Sequence, residues 1–163
     1  MSEATLTTST GILRFLYDFN FTAITRNAEG MTHADSLIVP ANGANPANWV
    51  LGHILGNRSF ILTLVHEQPL WSDADDDPYN QGSKGLDPAK ARPWDSLVAD
   101  LNETQERLRR GLERLDPEEL DLKHAEEAKR PRGAQLHFMS FHEAYHAGQL
   151  GILRRVAGKD GAI

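Results

Sequence analysis

The chain contains no cysteine. Disulfides and thiolate metal sites are therefore excluded, and any metal must be held by His, Asp, Glu or backbone oxygen. No apolar run approaches the roughly 20 residues that a membrane span needs. Positive charge is scarce: 17 Lys and Arg stand against 23 Asp and Glu, a formal net charge of −6. That balance argues against nucleic acid as a partner, because phosphate binding wants a clustered basic surface. The densest basic stretch, Arg107, Arg109, Arg110 and Arg114, is interleaved with Glu103, Glu106 and Glu113. Mixed signs at helical spacing pair with one another and read as a solvated helix face. Met1–Thr10 has no basic run followed by an apolar stretch, so no secretory leader is expected and the cytoplasm is the expected compartment. No segment alternates with the period of a strand, and no internal repeat is found.

What is present is helical periodicity. The length of 163 residues suits one domain, 1–163, large enough to bury a core without staples. Ile12, Leu13, Phe15, Leu16, Phe19, Ala23 and Ile24 predict a first helix over 9–28, closed by Gly30. Residues 31–46 read as a loop with room for a helical turn. Trp49, Val50, His53, Phe60, Ile61 and Leu64 predict a second helix over 47–67, with Asn45 as its cap and Pro46 at its first position. The stretch 68–92 reads as a long solvated connection. Its acidic run, Asp73, Asp75, Asp76 and Asp77, lacks the ligand spacing and central Gly of a calcium loop. Leu97, Leu101, Leu108, Leu112 and Leu115 predict a third helix over 94–115. Asp116-Pro117-Glu118-Glu119 starts a short helical piece, and a fourth long helix spans 134–157, closed by Gly158. Four amphipathic segments predict an all-α four-helix bundle with one crossover between its second and third helices.

The strongest chemical signal is His142-Glu143-Ala144-Tyr145-His146. Two His at i and i+4 lie about 40° apart on a helix, one turn up, so both imidazoles can reach one divalent ion. The same residues match the His-Glu-x-x-His pattern of zinc proteases. Such a protease needs a third ligand downstream, and here Gln149 and Ile152 occupy the Gly and His positions of one class, with no Glu after Glu143 for the other. A third ligand must come from another helix. His53, among Trp49, Val50, Phe60 and Ile61, is the best candidate, since an unpaired imidazole on an apolar face is costly. The alternative is a core histidine bonded to a carbonyl. His33, His66, His124 and His137 fall in a loop, a last helical turn, an interhelical segment and an opposite face. Glu143 lies about 100° from His142 around the helix. It reads either as a base beside the ligands or, more simply, as an ion-paired or solvent-facing carboxylate. Asn57, one turn from His53, and Tyr145 are candidate pocket residues. A di-iron carboxylate site would need two Glu-x-x-His pairs, and Glu143 with His146 makes one.

Two stretches carry a resemblance. Asn45-Pro46-Ala47-Asn48-Trp49-Val50-Leu51-Gly52-His53-Ile54 resembles the second-helix motif of the DinB-like superfamily of metal-binding bundles. His142-Glu143-Ala144-Tyr145-His146-Ala147-Gly148-Gln149-Leu150 is similar to its last-helix motif. The resemblance implies an up-down-down-up four-helix bundle, commonly dimeric, with a long link between helices 2 and 3. It implies that His53, His142 and His146 bind one divalent ion, most often zinc or nickel, with positions left open. Relatives include transferases and isomerases that use low-molecular-weight thiols, and the family name does not imply contact with DNA. The expected function is a metal-dependent transferase acting with a small thiol or activated water on a small molecule, in a cytoplasmic homodimer. The alternative is a bundle that holds a metal or small ligand without turning it over. Trp71, Trp94 and the 68–92 connection are candidate dimer contacts.

Overall fold

The computed structural model describes residues 9–80, 82 and 85–163, so the reading of the extreme N-terminus falls largely outside the described residues. Among these the chain is all-helical. Its helices are α1 (Ser9–Ala28), α2 (His33–Ser36), α3 (Ala47–Leu64), α4 (Asp73–Asp76), α5 (Trp94–Arg114) and α6 (Arg132–Val156). Tight 3₁₀ turns occupy Asp77–Tyr79, Pro88–Lys90 and Pro117–Asp121. No helix among the described residues is long and apolar enough to cross a membrane.

The four long helices pack as pairs: α1 with α5 and α6, and α3 with α5 and α6. Hydrogen-bonded rungs fix these pairs. Tyr17 Oη, Asn20 Nδ2 and Asn27 Nδ2 donate to the carbonyls of Leu136, Ser140 and Ala147 at 2.8, 2.8 and 3.1 Å. Numbers rise together on α1 and α6. Arg109 Nε and Gln105 Nε2 both reach Asp18 Oδ1 at 2.7 Å, tying α5 to α1. Two of the mixed charges of α5 pair along the helix as expected, Arg107 with Glu103 and Arg109 with Glu106, while Glu113 and Arg114 pair off the helix, with Arg14 of α1 and with Glu67.

The core has two apolar clusters. One gathers Trp49, Leu51, Ile54, Leu55, Trp94, Leu97, Leu101 and Leu150. The other gathers Leu13, Tyr17, Ile61, Leu62, Leu108, Leu112 and Leu136. Trp71 and Trp94 are 5% and 2% exposed within this core, which removes them as dimer contacts.

The 68–92 connection differs from a solvated crossover. Ser72 and Asp75 form a reciprocal capping box that starts α4 in the acidic run. The chain then lays Tyr79, fully buried, against α3. Gly52 makes this possible, since a Cβ there would stand 2.2 Å from the Tyr79 ring. Arg92 N donates to Tyr79 Oη at 2.8 Å, and Asn48 Nδ2 to the Arg92 carbonyl at 3.0 Å. Two smaller differences concern α3. Its N-cap is Pro46, with no side-chain cap from Asn45, and it ends at Leu64 because His66 turns to φ 60°. Asp116 does cap its short piece, its carboxylate accepting from Glu118 N at 3.0 Å.

Candidate metal centre

His53 enters from α3, His142 and His146 from α6, and the structure brings the three together. One ring nitrogen from each lies within 4.8 Å of the others. His142 Nε2 and His146 Nε2 are 3.2 Å apart. Two imidazole nitrogens on one tetrahedral zinc, each at about 2.0–2.1 Å, stand about 3.4 Å apart, so this spacing fits a single ion.

The lone pairs fit as well. His53 Nδ1–H donates to the Tyr79 carbonyl at 2.9 Å. His146 Nδ1–H donates to the amide oxygen of Gln149 at 2.7 Å. Both partners accept, so each ring carries its proton on Nδ1 and turns an Nε2 lone pair inward. Trp49, one turn before His53, stacks on its ring at 4.8 Å and 10°, fixing its plane. Asn57 Nδ2 bonds the His53 carbonyl at 2.7 Å and stands 3.2 Å from His53 Nε2, donating to that lone pair. Burial holds His146 down at about 4, against a partial upward pull from Gln149, with the neighbouring imidazoles lowering it further. Burial also lowers His142, helped by His53 and opposed by Glu143. Neutral imidazole is the ligating form, so desolvation keeps both rings competent at neutral pH.

The other histidines stay apart. His33 and His137 are exposed. His66, beyond the end of α3, pairs with Glu119 at 2.7 Å. His124 meets Phe60 edge-on at 5.8 Å.

Glu143 is ion-paired, the simpler of its two readings, but it is buried rather than solvent-facing. Arg58 Nε and Nη2 grip its carboxylate at 2.7 and 3.0 Å, and the two side chains are 1% and 3% exposed. Arg58 Nη1 also reaches Thr104 Oγ1 at 3.3 Å and the Leu101 carbonyl at 3.4 Å. The pair lies between the two apolar clusters. Sequence reading missed Arg58. The signal was there: its neighbours at three and four positions, Ile54, Leu55, Ile61 and Leu62, are all apolar, so its partner had to come from another helix.

Two cavities meet at the histidines. The larger, about 1040 Å³, is walled by α6, the start of α3 and residues 40–45, with all three histidines on its surface. Tyr145, 58% exposed, stands on its wall. The smaller, about 420 Å³, shares His53 and His142 and also contains Asn57 and Asp76. Gly56 admits that carboxylate, since a Cβ there would lie 1.7 Å from Asp76 Oδ1. Burial raises Asp76, with His53 pulling the other way.

Comparison with known proteins agrees with this fold. The chain is similar to a solved structure of a conserved protein from Enterococcus faecalis, with 18% identity and a TM-score of 0.71, covering 93% of this chain and 99% of that one. That likeness shows the fold alone. A comparison with curated proteins finds no match. Residues 17–150 match the sequence profile of the DinB superfamily. That stretch holds all three histidines and every long helix but the ends of α1 and α6, and the chain belongs to the DinB superfamily.

Proposed function

We propose that this protein holds one divalent metal ion, zinc or nickel, on His53, His142 and His146, and works as a transferase on a small molecule. The observation that carries the reading is the convergence of three imidazoles at a cavity floor, two with their outward N–H groups held by acceptors. A divalent ion on three neutral imidazoles supplies Lewis acidity, which makes a small thiol or water a nucleophile near neutral pH. The chain's own residues do the rest. Tyr79 and Gln149 orient the rings, Trp49 fixes the plane of His53, and the large cavity receives the substrate.

The bundle that holds this site reads as a single domain running up-down-down-up, with 68–92 as its crossover. The rungs between α1 and α6, and those between α3 and α6, support that order. We further read the protein as a homodimer, because α1 and α6 leave Ile12, Phe15, Phe19 and Phe141, all outside the large cavity, exposed at 43, 44, 67 and 70%. A cytoplasmic setting suits a thiol co-substrate, which is kept reduced there.

One observation favours the rival, a binding bundle without turnover. Glu143, the nearest candidate base in sequence, is fully engaged by Arg58. Elemental analysis of the purified protein beside a His142→Ala, His146→Ala variant tests the site. About one equivalent in the parent and little in the variant is expected. No metal in either, after incubation with zinc and nickel, removes the proposal. Thiol-transfer assays with the loaded metal then separate transferase from binder.

A further inference from the structure

The larger cavity has a wall chemistry that narrows its ligand. None of its lining residues is Asp, Glu, Lys or Arg. Trp49, Val50, Phe138, Ile152, Leu153 and Val156 make it mostly apolar. Neutral hydrogen-bonding groups come from Asn42, Asn45, Tyr145 and Gln149. Its volume, about 1040 Å³, reaches the upper end of small-molecule sites. The smaller cavity is the contrast: about 420 Å³, and with the carboxylate of Asp76 on its wall. The large side offers a charged group no counter-charge except an ion held by the histidines, and a bare ion against apolar wall loses its hydration without replacement.

We infer that the large cavity takes a small molecule with an uncharged, apolar body and a single ligating head group that reaches the three histidines. This deepens the proposed function, on which the head-group half rests. The body half rests on the wall alone. An ionised group elsewhere on the ligand is selected against, and a longer or wider apolar body is selected for.

The test has two arms. In the first, metal-free protein at pH 8 is titrated with the neutral fluorophore phenylnaphthylamine and with its sulfonated counterpart. The neutral probe binds, and the sulfonated one binds about tenfold more weakly or worse. Ile152→Asp and Val156→Asp, both on the wall yet solvent-accessible enough to keep the fold, each weaken the neutral probe about tenfold. Phe19→Asp, on an exposed apolar face outside the cavity, leaves binding unchanged. Equal binding of both probes, no binding, or an equal loss in Phe19→Asp overturns the inference. In the second arm, zinc-loaded protein meets alkyl hydroxamates from acetyl to octanoyl. Each added methylene tightens binding about three- to fourfold. A flat series overturns the placement of the body beside the histidines. Failure to load zinc overturns the metal reading alone, because the first arm contains no metal and still decides the cavity.

Discussion

Arg58 and His53 stand on the same helix, and their partners Glu143 and His142 are neighbours on another, yet the two groups follow opposite rules. The Arg58–Glu143 pair is buried at 1% and 3% exposure and its polar atoms are taken up: two contacts to the carboxylate, further ones to Thr104 and Leu101. Nothing is left over to act on a ligand. Two of the histidines, His53 and His146, are held from outside by Tyr79 and Gln149, and the three rings converge where two cavities meet. A satisfied buried network contributes uniqueness of packing, whereas donors converging on one another imply something that belongs between them. The first group builds the bundle and the second uses it.

The largest effect that can break this comparison is on the ion pair. Arg58→Ala and Glu143→Ala each leave an uncompensated buried charge, and each should cost about 3–5 kcal/mol in urea unfolding. Replacing both together with Met and Leu should restore most of that loss, because well-packed apolar pairs replace buried ion pairs at little cost. The double variant should still load metal. If it folds well but loses metal, Glu143 belongs to the site and the division fails.

Metal gives the next largest effect. Zinc at about 1,000 times its dissociation constant should stabilise the protein by about 4 kcal/mol, read as a rise in melting temperature. The His142→Ala, His146→Ala variant should show no rise. An equal rise in the variant would place the ion elsewhere.

The pH response is smaller and has a definite sign. His146 sits at about 4 in the fold against 6.5 for the free side chain, and His142 is lowered too. Between those values the unfolded chain binds the extra protons, so metal-free protein keeps its full stability above about pH 6.5 and loses it as pH falls toward 4. The double histidine variant should lose less over the same window. Chemical unfolding at pH 7.5, 6 and 5 measures both.

Much of this is legible in the sequence. The first helix has its expected bounds, because apolar residues recur at helical spacing up to a Gly that sits at φ 70°, although Ile12, Phe15 and Phe19 of that series face outward and Leu13, Tyr17 and Ile24 carry the buried face. His142 and His146 were legible because helical spacing alone makes them neighbours. The apolar surroundings of His53 point to it, and the carbonyl bond that is the alternative to ligation accompanies the convergence rather than replacing it. What escaped was long-range. Tyr79 and Asp76 lie in an acidic stretch whose composition says solvent, and they fold inward only because Gly52 and Gly56 leave the surface of α3 bare. Arg58 escaped because its partner is 85 residues away.

The smallest effect concerns Asn57, which the comparison assigns to the histidine side. Its amide stands 3.2 Å from His53 Nε2 and donates to the lone pair that an ion would take. In metal-free protein it therefore competes with metal. A neutral hydrogen bond nets about 1 kcal/mol, so Asn57→Ala should tighten zinc up to about fivefold in competition with a chromophoric chelator. The opposite result would be as informative. The same amide also bonds the His53 carbonyl at 2.7 Å, a contact that could brace the ring rather than mask it. Weaker zinc binding in Asn57→Ala, with unchanged unfolding, would make Asn57 a positioning residue like Tyr79, and its hold on the lone pair would then be incidental to that brace.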